Sequence, residues 1–226
     1  GKAQPLYTNI LTPDGYIAMR NVVPGTTVFT AKGNPATVLG VYPQGKRPIY
    51  EIGLQDRTTI RVSDDHLNVV FRYNTTTKQK EYKILTTCQL IELFNNTKTK
   101  IRIDIPSVEF NDDSSRLDTA FDAGKAYTRK KLHSGRKSNQ IEPYTPLDSN
   151  YVFSSKSVRL ELFKGMMMSS TITPEGYVKF STTDDEISKT VTFVARSLGI
   201  RVTEGISKTS KSRLHVLYFH PPKGMN

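Results

Sequence analysis

The sequence predicts a mainly β N-terminal half followed by an α+β C-terminal half. Two observations carry this expectation. Up to Val108 the chain is written in short β-like runs broken by Gly, Pro, Asn and Asp. That punctuation belongs to an all-β unit rather than a βαβ unit. From Tyr151 the code changes to capped apolar stretches at helical spacing, alternating with strands. The expected units are therefore residues 1–108 and 109–226.

Residues 7–12 form the first expected strand, and Pro13-Asp14-Gly15 turns it into a second over 16–19. Asp-Gly between apolar runs is a hairpin signal, because the turn needs positive φ. Pro24-Gly25 ends that pair, and a strand follows at 28–30. Residues 36–42 alternate and predict another strand, closed by Pro43-Gln44-Gly45. Strands at 49–52 and 58–62 are expected to pair across Leu54-Gln55-Asp56-Arg57. Leu90, Ile91, Leu93 and Phe94 fit a short helix over 87–94, capped by Thr86 or Thr87. Residues 101–106 alternate again and stop at Pro106. The polar stretch 111–150 reads as a boundary region with one helix over 117–131.

In the second half, Ser155 or Ser157 caps a helix whose apolar face holds Val158, Leu160, Leu162, Phe163, Met166 and Met167. The Met166–Met168 stripe reads as core packing. Thr173-Pro174-Glu175-Gly176 turns into a strand over 177–181. Asp184 or Asp185 caps a helix carrying Ile187, Val191, Val194, Ala195 and Leu198, and Gly199 ends it. Strands over 200–203 and 214–219 complete the reading.

The formal net charge is +11, from 32 Lys and Arg against 21 Asp and Glu. It points toward nucleic acid. The excess is divided between the halves, with 14 basic and 8 acidic residues in 1–108 and 18 and 13 in 109–226. The densest run holds Lys125, Arg129, Lys130, Lys131, Arg136 and Lys137. Its readings are a solvated linker or a set of phosphate contacts. No apolar run approaches the roughly 20 residues of a membrane span. No basic-then-apolar leader opens the chain, and an intracellular, cytoplasmic protein with no membrane partner is expected. The single Cys88 excludes an internal disulfide and a multi-cysteine zinc site.

Several blocks, in order, resemble the Hint fold of inteins. Thr8, Ile10, Thr12 and Gly15 match the later positions of the intein N-terminal block, which sets Ala3 at the position of its nucleophilic cysteine. Ser63-Asp64-Asp65-His66 resembles the family's Thr-x-x-His block. Residues 22–28 and 45–52 resemble two of its strands. The resemblance implies a β horseshoe over residues 1–108. It also implies that His66 donates a proton to a departing amide nitrogen and that Ser63 holds the amide or its oxyanion. Asp65 orients His66 or is solvated. Ala3 carries no nucleophile, so the first acyl shift cannot run through it. It either replaces a cysteine or marks an intein that begins with alanine.

Residues 141–222 resemble the second motif region of LAGLIDADG homing endonucleases. The resemblance lies in the helix from Ser155 to Met167, in Phe180-Ser181-Thr182-Thr183, and in Arg196-Ser197-Leu198-Gly199. In that family the paired helices present carboxylates to a divalent metal. Here those positions hold Met168 and Ser170, so the nuclease is expected to be dead and magnesium is implied only for an active one. A degenerate first motif is expected over 117–124, with Asp122 as its remaining acid or as a helix cap. His215 and Asn226 stand near where an intein's C-terminal residues would lie, although 214–222 also reads as an endonuclease strand. The resemblance implies autocatalytic protein splicing, arrested or incomplete in this chain. Flanking host segments, a C-terminal intein fragment and double-stranded DNA are the implied partners. The alternative is a DNA-binding module derived from a homing endonuclease.

Overall fold

The computed structural model describes residues 3–96, 100–110, 113–129, 147–208 and 213–220. Along the chain run the hairpins β1 (Asn9–Thr12) with β2 (Gly15–Ala18) and β3 (Thr27–Phe29) with β4 (Pro35–Thr37). Then come β5 (Ile49–Gly53) with β6 (Thr59–Ser63), β7 (Leu67–Tyr73) with β8 (Lys80–Thr86), and helix α1 (Thr87–Asn96). Next are helices α2 (Leu117–Arg129), α3 (Ser149–Val152) and α4 (Lys156–Met166). Strands β9 (Thr171–Ile172) and β10 (Val178–Thr182), helix α5 (Asp185–Ser197) and strands β11 (Arg201–Lys208) and β12 (Arg213–His220) follow. The protein is thus a mixture of small sheets and helices, and among the described residues no sheet closes into a barrel. None of the described helices is long and apolar enough to cross a membrane.

Two compact units divide the chain. The first takes the chain up to Thr12, Tyr16–Val28 and Thr37–Ile105; the second takes Pro13–Gly15, Phe29–Ala36 and the chain from Pro106 on. In the first unit, β5 pairs with β6 so that Ile49 faces Ser63. The register is set by a short loop in which Arg57 adopts φ 68° and its N–H bonds the Leu54 carbonyl. β7 pairs with β8 so that Leu67 faces Thr86. This second hairpin is absent from the sequence reading. Its turn contains neither Gly nor Pro; instead the Asn74 side chain accepts the N–H groups of Thr76 and Thr77. The strand expected over 36–42 is reduced to Pro35–Thr37. Val38 still exchanges main-chain bonds with Gly25 and Thr26, but beyond it the expected strand does not form among the described residues, and Leu39 stands 92% exposed. Residues 101–106 contribute one bridge, Arg102 to Phe71, instead of a strand.

The second unit is built on a four-stranded antiparallel sheet in the order β11-β12-β10-β9, with α2, α4 and α5 supplying the core. Ser155 and Asp184 cap α4 and α5, as the sequence predicts. Gly199 follows α5 at φ 80°. Helices α2 and α4 touch through glycines. A Cβ at Gly124 would lie 2.1 Å from the Leu162 carbonyl oxygen, and one at Gly165 would lie 1.9 Å from that of Phe121. The Thr128 hydroxyl bridges the same helices by donating to the Met166 carbonyl at 3.3 Å.

Arg159, fully buried on α4, joins three segments of this unit. Its Nε donates to the Ser154 carbonyl at 3.0 Å, and Nη1 donates to the Ser197 carbonyl at 3.0 Å and hydroxyl at 2.6 Å. Its Nη2 donates to the Val108 carbonyl, and the guanidinium lies 4.7 Å from the Phe110 ring centroid. Desolvation lowers its pKa to about 10, yet that leaves it charged at neutral pH.

Alanine normally gains about 1 kcal/mol over glycine within a helix. At Gly165 the added methyl meets main chain, so the sign reverses. Gly165→Ala is expected to lower the stability of the full chain by about 2–3 kcal/mol in urea unfolding; a stabilised variant would exclude the close glycine contact.

Candidate functional site

In the first unit the structure brings Ala3 to the turn between β6 and β7. The Ser63 main-chain N–H donates to the Ala3 carbonyl at 3.2 Å. Ser63 itself is fully buried. Its hydroxyl donates to Asp65 Oδ1 at 2.6 Å, and its carbonyl accepts the His66 N–H at 3.3 Å. Ser63, Asp65 and His66 thus form one hydrogen-bonded turn, with residue 3 attached through main chain. The group that reaches the Ala3 carbonyl is the Ser63 N–H, while the Ser63 hydroxyl is directed at Asp65.

Asp65 is engaged on both oxygens, since Arg47 Nη1 lies 2.9 Å from Oδ2. The Ser63 hydroxyl bond holds the Asp65 carboxyl below the ordinary carboxylate range, against partial desolvation and with help from Arg47. Asp64 shares Arg47 at 3.5 Å, and its carbonyl accepts the N–H of Cys88 at 3.1 Å. The main chain of His66 is fixed from the next hairpin. Asn68 Nδ2 donates to the His66 carbonyl at 3.1 Å and to Thr87 Oγ1 at 3.2 Å, and both side chains are buried.

Sequence reasoning missed Arg47, Asn68 and Thr87. Arg47 and Thr87 follow from register. Ile49 faces Ser63, so two residues outward Arg47 faces Asp65. Leu67 faces Thr86, so one residue outward Thr87 faces His66. The first turns on a five-residue loop, 54–58, one residue longer than the loop expected over 54–57; the second depended on a hairpin that the sequence did not announce.

In the second unit the nuclease-like positions carry no acid. Met168 is 59% exposed in the short 3-10 turn after α4, and the Ser170 hydroxyl donates to the Met167 carbonyl at 2.6 Å. Asp122 is not brought to them. It stands on the exposed face of α2, about two turns before the point where Thr128 meets Met166. Gly124 and Gly165 face the opposing helices, and the same step along each leads from Gly165 to Ser170 and from Gly124 to Arg129. A basic residue therefore stands at the second helix end. A thioether, a hydroxyl given to a carbonyl and a guanidinium do not fit a hard divalent cation. Among the described residues, no group of three or more His, Cys, Asp or Glu side chains is placed to hold a metal.

His215 belongs to the second unit, on β12 between β11 and β10. It is 5% exposed, with Nδ1 2.5 Å from Glu204 and Nε2 2.5 Å from Asp185. Both ring nitrogens are committed, leaving none for a scissile amide. Asn226, Lys130, Lys131, Arg136 and Lys137 lie outside the described residues; Arg129 is the exposed last residue of α2.

No family model matches the chain, and no curated protein is similar to it. The functional reading therefore rests on the sequence blocks and on the two local geometries above.

Because Asp65 is held below the ordinary value near 3.9, its contribution to stability is complete above about pH 4. It is lost as pH falls through the lowered midpoint. Ser63→Ala is expected to raise that midpoint, read from the carbon-13 titration of the carboxyl. A midpoint that does not move would remove the Ser63–Asp65 bond from the site.

Proposed function

We propose that the chain is an intein-type self-splicing element. In this reading its Ser63–His66 turn serves the acyl transfer at the peptide bond preceding Ala3, and its second half is a LAGLIDADG-like unit without a nuclease centre. One observation carries the reading: residue 3, far away in sequence, is tied to the Ser63–His66 turn by the 3.2 Å bond from the Ser63 N–H to the Ala3 carbonyl. The glycine-mediated packing of α2 on α4 supports the second part.

His66 acts as the acid. It donates a proton to the Ala3 nitrogen as the preceding carbonyl is transferred away, which makes an amine rather than an amide anion the leaving group. Alanine supplies no attacking atom, so the acyl shift cannot start from residue 3; in an intein that begins with alanine the residue after the intein attacks directly. Ala3→Cys supplies such an atom. Its sulfur bonds the preceding carbonyl carbon, the C–N bond breaks, and the freed nitrogen takes the proton. The remaining steps fall to a C-terminal intein segment and the flanking host segments, which are the partners of this reading. No metal takes part.

The test is the full chain with Ala3→Cys and a reporter segment ahead of residue 1. Dithiothreitol is expected to release the segment, detected by mass spectrometry, and His66→Ala to slow release by about 100-fold or more. Failure of the Ala3→Cys chain to cleave would sink the splicing reading.

A second reading, as a DNA-binding module, is favoured by the sheet of the second unit. Alternation directs Val202, Glu204, His215, Leu217 and Phe219 inward. The opposite face carries Arg201, Lys179, Thr203, Tyr218 and His220, and no carboxylate among the described residues. Desolvation and the neighbouring Arg201 hold His220 below the usual histidine range. Duplex DNA affinity is expected to fall steeply with salt, and Arg201→Ala to flatten the log–log slope by about one. Undetectable or salt-insensitive binding would exclude this reading.

A further inference from the structure

Arg47 lies in a stretch that the resemblance gives only as a strand, with no chemical role, yet it closes the site from the far strand. It stands just before β5, where the β5–β6 register sets it opposite Asp65. Its Nη1 reaches Asp65 Oδ2 at 2.9 Å and Asp64 Oδ1 at 3.5 Å. The other oxygen of Asp65 receives the Ser63 hydroxyl at 2.6 Å. A chain of charge-assisted bonds therefore runs from Arg47 through Asp65 to Ser63, and the Ser63 N–H continues it to the Ala3 carbonyl at 3.2 Å.

We infer that Arg47 is a positioning residue for the Ser63–His66 turn, acting through Asp65 to fix the direction of the Ser63 hydroxyl and the place of residue 3. The inference rests on the splicing reading and deepens it. Without the guanidinium, Asp65 keeps one partner and is free to turn on its χ angles. The serine hydroxyl then loses a fixed acceptor, and the N–H that anchors residue 3 belongs to a looser turn. The depressed titration of Asp65, to which both Ser63 and Arg47 contribute, agrees with a coupled set. The charged neighbours are Asp64 and Asp65, with His66 on the same turn. Arg47 itself is partly exposed and precedes the strand, so its replacement leaves the hairpin hydrogen bonds intact.

The experiment uses the full chain with Ala3→Cys and a leading reporter segment, alone and combined with Arg47→Gln or Arg47→Lys. Thiol-dependent release is followed against pH, and the Asp65 carboxyl is titrated by carbon-13 NMR. Arg47→Gln is expected to slow release about 10- to 100-fold, to displace its pH profile and to raise the Asp65 midpoint. Arg47→Lys, which keeps a cation, is expected to recover most of both. Release that keeps the parent's rate and profile in Arg47→Gln overturns the positioning role alone. An Asp65 midpoint indifferent to Arg47 overturns it as well, whatever the rate. A parent that never cleaves, with Asp65 still responding to Arg47, removes the splicing reading and takes the role with it; the titration tells these failures apart.

Discussion

The first unit depends on the registers of two antiparallel hairpins that meet at one turn. β5–β6 ends at Ser63 and β7–β8 begins at Leu67, so residues 64–66 are held from both sides. Each register is fixed far from this turn. One is set by the loop in which Arg57 takes a left-handed φ, the other by the Asn74 side chain and by Lys78 at φ 58°. Side-chain direction in a strand has a period of two residues, so a slip of one reverses every face. Such a slip in the first hairpin would turn Arg47 away from Asp65. In the second it would part Thr87 from His66 and expose the buried Asn68.

The second unit solves a different problem. Its helices must approach closely, and the segments that flank them must be tied to α4. Glycines achieve the first, at Gly124 and Gly165. Arg159 achieves the second by giving its guanidinium hydrogens to the carbonyls of Val108, Ser154 and Ser197 and to the Ser197 hydroxyl. Hydrogen bonds from a charged donor are worth about 1.5–3 kcal/mol each, which offsets a cation's removal from water better than one contact would. One of the chain's cations is therefore structural. Arg159 thus adds nothing to the excess charge at the surface.

The parts of this fold that were legible are those set by local chemistry. Asp14-Gly15 makes its turn with Gly15 at φ 117°, Ser155 and Asp184 cap their helices, and Gly199 ends α5. The parts that were not depend on a partner distant in sequence. Residues 36–42 alternate as a strand should, but their pairing ends at Val38, which bonds Gly25 and Thr26. Leu67–Tyr73 and Lys80–Thr86 pair across a turn written in Asn and Thr, and much of β8 is charged or exposed. The same division applies to the site. Ala3, Ser63 and His66 are singled out by the resemblance to inteins, whereas Arg47 and Thr87 are found only by register. Asp122 is an acid near the right place in sequence, but the helix turns it outward, and only the opposing glycine on α4 shows which residue stands at the helix end.

The bond from Ser63 to Ala3 has a consequence in time. Residue 3 is made before the turn that receives it, which is complete only once β8 and Thr87 have followed. At ordinary rates of synthesis that interval is roughly five to fifteen seconds. Through it residue 3 lacks the Ser63 N–H that later holds its carbonyl. The order of synthesis thus acts as a delay, leaving residue 3 untethered until most of the first unit exists to hold it.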